Sequence, residues 1–208
     1  MLCLTTLTDD SLGLALGTAQ GVVKRVNPEV LGRDSWEVIR LEPGDRVVGA
    51  VELTTTETEL VFITNDAQLL HFPAAAVRPQ GRSGGGMAGI KLGIGARVIY
   101  FGEVATADAV VATVSGTSRA LPGTDAGSVK VTDFRQYPAK GRATGGVRCH
   151  RFLKGEDSLL LAWAGPAPAI AAAASGSPVL LPAVDARRDG SGTPGSQPIA
   201  AIGSAAAG

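Results

Sequence analysis

One turn occurs twice in this chain, and it limits the fold more than any other feature. Gln80-Gly81-Arg82-Ser83-Gly84-Gly85-Gly86 returns as Lys140-Gly141-Arg142-Ala143-Thr144-Gly145-Gly146, so both copies read Gly-Arg-x-x-Gly-Gly. The match continues in register: Met87, Ile90, Lys91, Leu92 and Gly95 answer to Val147, His150, Arg151, Phe152 and Gly155, each 60 positions on. Two such turns leading into one apolar pattern make a repeat, and a period near 50 residues signals a propeller-like or solenoid array whose units bury their faces against one another.

Strand and turn signals divide the chain accordingly. Val22-Val23-Lys24-Arg25-Val26 is a β-branched run ended at Asn27-Pro28, because proline removes a ladder donor. Val38-Ile39-Arg40-Leu41 and Val47-Val48-Gly49-Ala50-Val51 complete a first unit. Leu60-Val61-Phe62-Ile63, Gln68-Leu69-Leu70-His71-Phe72, Ile90-Lys91-Leu92 and Val98-Ile99-Tyr100-Phe101 form a second, with Gly44 and Gly95 setting a spacing of 51. Val110-Val111-Ala112-Thr113-Val114 opens a third, Leu159-Leu160-Leu161-Ala162-Trp163 closes it, and its extra residues fall near 124–132. Ser175-Gly176-Ser177 and Arg187-Arg188-Asp189-Gly190-Ser191-Gly192 mark a degenerate fourth unit. The expectation is an all-β disc occupying residues 1–202, with units near 10–52, 53–104, 105–164 and 165–202, and a disordered small-residue tail at 203–208. Leu2-Cys3-Leu4-Thr5-Thr6 already reads as a strand, which points to a piece of something longer.

Composition excludes several function classes. The two cysteines, Cys3 and Cys149, are too few for a disulfide framework or a closed zinc site, which suits a reducing cytoplasm. The most apolar run, residues 159–174, contains Pro166 and Pro168 and falls short of the roughly 20 residues of a membrane span. His71 and His150 lack ligand spacing, and Cys149-His150 as strand neighbours face opposite ways, which argues against a thiol hydrolase. The glycine turns are not nucleotide loops, because no Gly-Lys-Ser/Thr closes them.

Formal net charge is zero, so any electrostatic role must come from local segregation. Such segregation is present. No acid lies between Asp66 and Glu103, a window holding Arg78, Arg82, Lys91 and Arg97. None lies between Asp133 and Glu156, where Arg135, Lys140, Arg142, Arg148, Arg151 and Lys154 fall. Alternation puts Arg40, Lys91 and Arg151 at one outward point of three successive units, and Arg46 corresponds to Arg97. A curved cationic belt of this kind fits the backbone of a bent duplex, with counterion release giving a steep salt dependence. With 4% aromatic residues there is no stacking platform for single strands, so binding is expected to be independent of sequence. The rival reading is a propeller whose rim binds a protein partner.

Gln20-Gly21-Val22-Val23-Lys24-Arg25, Leu60-Val61-Phe62-Ile63-Thr64-Asn65, Gly81-Arg82 with Gly85-Gly86, and residues 140–147 resemble the C-terminal domain of the A subunit of bacterial type IIA topoisomerases, meaning DNA gyrase or topoisomerase IV. The resemblance runs over about residues 10–165. It implies a β-pinwheel of four-stranded blades that bends double-stranded DNA around a basic perimeter and presents it to the cleavage core of its own subunit. The ATPase B subunit would be a further partner in a cytoplasmic, nucleoid-associated holoenzyme. It also implies that this region is non-catalytic and carries no cofactor, ATP and Mg belonging to other parts of the holoenzyme, so Tyr100 and Tyr137 are not nucleophiles. The cations expected on the duplex are Lys24, Arg25, Arg40, Arg46, Arg78, Arg82, Lys91, Arg97, Lys140, Arg142, Arg148 and Arg151, with backbone approach at Gly81, Gly85, Gly86, Gly141, Gly145 and Gly146. Two departures stand out. The Gln-Arg-Arg-Gly-Gly-Lys-Gly box of gyrase is replaced in the first unit by Gly32-Arg33-Asp34, which favours a topoisomerase IV-like role, and about four blades are counted where the family has five or six.

Overall fold

The computed structural model describes residues 3, 5, 11–27, 32, 34–53, 55, 57–105, 107–121 and 123–205. Most of the expected Leu2–Thr6 strand, and Arg33 of the first-unit turn, lie outside the described residues.

Each unit contributes an antiparallel hairpin and a third strand. The first is β1 (Leu14–Thr18), β2 (Val22–Val26) and β3 (Val47–Glu52). The second is β4 (Glu59–Thr64), β5 (Gln68–Pro73), the short pieces β6 (Pro79–Gln80) and β7 (Met87–Ala88), and β8 (Val98–Val104). The third is β9 (Ala109–Gly116), β10 (Ser128–Asp133), β11 (Val147–Arg148) and β12 (Ser158–Pro166). The fourth is β13 (Ala169–Ala172), β14 (Pro178–Val179), β15 (Val184–Asp185), β16 (Thr193–Pro194) and β17 (Ala201–Ser204).

The units exchange strands. The first sheet runs β3-β1-β2-β6 with β7 also on β2, so its outer edge belongs to the second unit. The second runs β11-β5-β4-β8, with β11 lent by the third unit, and the third runs β12-β9-β10-β15 with β16 also on β10, both lent by the fourth. The fourth sheet is β14-β13-β17. Burial follows from the same stacking. Ala15 and Val23 of the first unit share a core with Leu53, Leu60, Phe62, Phe72 and Phe101 of the second. Val61, Ile63 and Leu69 share another with Val111, Leu159 and Ala164 of the third, and Val110, Ala112 and Val131 pack against Ala169 and Ile202 of the fourth. A Cβ on Gly17 or Gly49 would stand 2.2 Å from an atom of Phe101, so these glycines let two sheets meet closely around that ring.

The all-β disc of repeated units stands as expected, with three corrections of detail. Val38-Ile39-Arg40-Leu41 and Ile90-Lys91-Leu92 form no ladder and bend at Val38 and Ile90, because each lies over the next unit's turn instead of beside a strand. The third unit's insertion is the loop 117–127 between β9 and β10, where residues 128–132 are already strand. The expected disordered tail begins too early at 203, since Gly203 and Ser204 pair with Ile170 and Ala169. Among the described residues no helix is long and apolar enough to cross a membrane.

Candidate nucleic-acid interface

The turn 81–86 is held from within and from behind. Gln80 braces it by accepting the Gly86 amide at 3.0 Å, while Lys140 donates to the Gly146 carbonyl at 3.1 Å in the next copy. Gly86 (φ 85°) and Gly146 (φ 73°) take the left-handed conformation that lets each turn fold back onto the preceding unit's hairpin. The turn expected at 187–192 is a third, degenerate copy, which follows Arg151 as the other two follow Arg40 and Lys91 in space.

The backbone shows this equivalence directly. The amide of Arg40 donates to Gly84 O at 3.4 Å, that of Lys91 to Thr144 O at 3.0 Å, and that of Arg151 to Gly190 O at 3.0 Å. In all three cases the acceptor is the fourth residue of the next unit's turn. Each seam therefore sets one exposed cation of unit n beside the arginine-bearing turn of unit n+1, Gly-Arg in the first two and Arg187-Arg188 in the third. Arg142 and Arg188 add a second tie, donating Nη1 to the carbonyls of Ala88 and Arg148.

Two of the expected contact residues are not on this surface. Lys24 is fully buried, its Nζ donating to Val38 O, Arg82 O and Gly84 O, all at 2.7 Å. Burial pulls its pKa below the ordinary lysine value, opposed by Glu37. Arg25 is buried too, with Nη1 donating to Ala74 O and Val77 O at 3.4 and 3.3 Å. Both are latches between the first and second units rather than rim contacts; a β-branched strand with alternating cations conceals this in sequence, because here both faces of the strand are covered. Sequence reasoning missed the counterparts. Lys130 is buried in β10 and reaches Cys149 O at 2.9 Å and Arg188 O, with its pKa lowered to about 8, chiefly by burial. His71 holds the Tyr137 carbonyl at 2.9 Å and Glu59 at 2.8 Å. Lys24 and Lys130 each stand one residue past the strand position packed under the last glycine of the turn, a periodicity that could have found them.

The other cations divide into groups. Arg40, Lys91 and Arg151 are exposed at the seams, and Arg82 and Arg142 are half-buried within the turns. Arg78, Lys140 and Arg148 are exposed nearby in the same segments. Arg46 and Arg97 are exposed at a different place, the mouths of the β1-β2 and β4-β5 hairpins, where their carbonyls accept from Ala19 and Asn65. That series ends in Asp157, which caps the third hairpin loop through Ser118 N at 2.6 Å. Arg135 is bound to Asp133 at 2.5 Å and adds no net charge to its window.

The Cys149-His150 pair has no nucleophilic character. Burial pushes the Cys149 thiol up to about 12, and burial followed by the Lys130 charge pulls His150 down to about 4. The Gly192 amide donates to His150 Nε2 at 3.1 Å, which assigns the proton to Nδ1 and directs it at Thr113 Oγ1, 2.9 Å away. Among the described residues, no group of three His, Cys, Asp or Glu is placed to hold a metal ion.

Comparison with known proteins places this architecture. The family model for the DNA gyrase C-terminal domain, β-propeller, matches residues 58–101 and 123–160. A topoisomerase subunit, TopoM, of Mycolicibacterium smegmatis is 37% identical over 106 residues, covering 50% of this chain and 13% of that protein. The A subunit of DNA gyrase from Klebsiella oxytoca is 31% identical over 144 residues, 67% of this chain and 15% of that protein. The chain thus spans about one seventh of these relatives. Among solved structures, the C-terminal domain of DNA topoisomerase IV superposes with a TM-score of 0.78 at 15% identity, covering 96% of this chain and 63% of that one. The DNA gyrase A C-terminal domain gives 0.69 at 19% identity, covering 94% and 66%.

Proposed function

From a chain that belongs to the family of C-terminal β-pinwheel domains of type IIA topoisomerase A subunits, we propose a domain that binds and bends double-stranded DNA without regard to sequence. In the whole enzyme it would hand a duplex segment to the cleavage core of its own subunit, working alongside the ATPase B subunit, and would take no part in bond breaking. One observation carries this reading: three successive seams repeat the same pairing of an exposed cation with an arginine-bearing turn of the next unit. A rigid periodic array of positive points along a rim matches a polyanion of regular phosphate spacing, and a neutral molecule can hold it because the charges are local.

The turns favour a topoisomerase IV-like grip over gyrase-type wrapping. Residues 80–86 carry a single arginine, and the third turn places Asp189 between Arg188 and Gly190, so neither reproduces the arginine-rich gyrase box. The test is fluorescence anisotropy of the chain with two unrelated duplexes of about 40 base pairs across a salt series. Equal affinities for both, falling with salt at a log–log slope of about −0.9 per contact, are expected. Absence of binding at low salt ends this reading, and retention of a protein partner in the presence of excess duplex replaces it with a protein-binding rim.

A further inference from the structure

Glycine occupies the first, fifth and sixth places of both Gly-Arg turns, and the structure separates these places by cause. The sixth belongs to the fold. Gly86 and Gly146 have φ of 85° and 73°, and a Cβ there would lie 2.6 Å from Val22 Cγ1 and 2.4 Å from Leu69 O. The first and fifth places do not. A Cβ on Gly81 or Gly141 would meet nothing within 4 Å, while on Gly85 or Gly145 its nearest neighbours would be Arg40 O at 3.5 Å and Lys91 O at 3.8 Å, ordinary contacts. None of the four is in the left-handed region, and all four are exposed. Their amides donate to no acceptor among the described residues.

A methyl group therefore fits at four positions where the chain carries none, although glycine adds conformational entropy to the unfolded state. The units differ at the third and fourth places, Ser83-Gly84 against Ala143-Thr144, yet agree at the first and fifth. The neighbour of each fifth glycine is the backbone of the exposed seam cation, Arg40 or Lys91. We infer that Gly81 and Gly85 with Arg40, and Gly141 and Gly145 with Lys91, form two composite sites for a duplex phosphodiester. In each, bare backbone amides approach the phosphate oxygens and the cation of the preceding unit closes the contact. This rests on the duplex-binding reading above and refines it. A Cβ on such a glycine holds the phosphate off by about 1.5 Å, one carbon–carbon bond length, which breaks an amide contact. The third seam is built differently. Arg187 and Ser191 stand where the two open glycines would be, so it meets DNA through the side chains of Arg151 and Arg187 alone.

The test compares the chain with its Gly81→Ala/Gly85→Ala/Gly141→Ala/Gly145→Ala variant, and with the two seam pairs changed separately, by thermal melting and by anisotropy with a duplex of about 40 base pairs. Melting temperature is expected to be unchanged or raised, since alanine narrows the unfolded ensemble at a compatible site. Affinity is expected to fall by about tenfold for each amide–phosphate bond lost, with both seam pairs contributing. A lowered melting temperature would assign these glycines to the fold and overturn the inference. Unchanged affinity alongside a DNA-binding parent would overturn it while leaving the duplex-binding reading intact. A parent that binds no duplex would overturn both.

Discussion

Replacing Lys24 by Met separates a latch from a DNA contact. The ammonium is fully buried and serves three carbonyls at 2.7 Å, two of them in the second unit's turn. Methionine keeps the stem's packing and removes a buried charge, but it leaves Val38 O, Arg82 O and Gly84 O without this donor. An orphaned buried acceptor costs about 1–3 kcal/mol; Val38 O and Arg82 O are orphaned while Gly84 O keeps the long bond from the Arg40 amide, so a loss of about 3 kcal/mol is expected. That is a large share of the roughly 5–15 kcal/mol that holds a domain together. With a urea m-value of about 2 kcal/mol/M, the unfolding midpoint should drop by about 1.5 M. The salt slope of duplex binding, measured where the variant is still folded, should not change. The reverse result, an unmoved midpoint with a slope shallower by about 0.9, would mean that Lys24 reaches phosphate, and would refute the latch.

Further outcomes follow from the same geometry. The triple variant Arg40→Ala/Lys91→Ala/Arg151→Ala should make the salt slope shallower by about 2.7, with unfolding free energies within about 0.5 kcal/mol of the parent by urea titration. Arg135→Ala should leave affinity and slope unchanged in the same assay, because Asp133 already neutralises that guanidinium. His150 is held neutral in the folded chain, with its pKa pulled down to about 4, whereas the unfolded chain takes up the proton near the ordinary value of 6.5. Stability should consequently fall as pH drops from about 6.5 to 4, by up to about 3 kcal/mol, and a His150→Asn variant should flatten that dependence in chemical unfolding. Gly146→Ala should cost about 2 kcal/mol or more by calorimetry, since its Cβ would stand 2.4 Å from Leu69 O at a φ of 73°.

Periodicity made most of the fold legible. Val22–Val26 could be read residue for residue, as could the bodies of β4, β5, β9 and β12, because each is a β-branched or apolar run bounded by a glycine, a proline or an Asn-Asp turn. The pairing of Arg40, Lys91 and Arg151 was also readable from spacing, since all three keep one offset from their glycine turns. What spacing could not convey is where each segment finds its partner. Residues 38–41 and 90–92 look like strands, yet they bond to a turn some 44–53 positions downstream, as Arg40 does to Gly84 and Lys91 to Thr144. Lys24 and Arg25 look like surface charges because buried lysine and arginine are rare, and only the lent strands β6 and β7 lying over β2 reveal that their heads are enclosed.

The lending of strands also orders events in time. When β2 leaves the ribosome, the pieces that will cover it, Pro79–Gln80 and Met87–Ala88, are still untranslated. At about 5–20 residues per second the interval lasts several seconds, long compared with the microseconds in which a hairpin closes. Each of the first three blades must wait with one flank bare until its successor is made. The nascent chain thus always displays one unfinished edge, which moves down the polypeptide as synthesis proceeds.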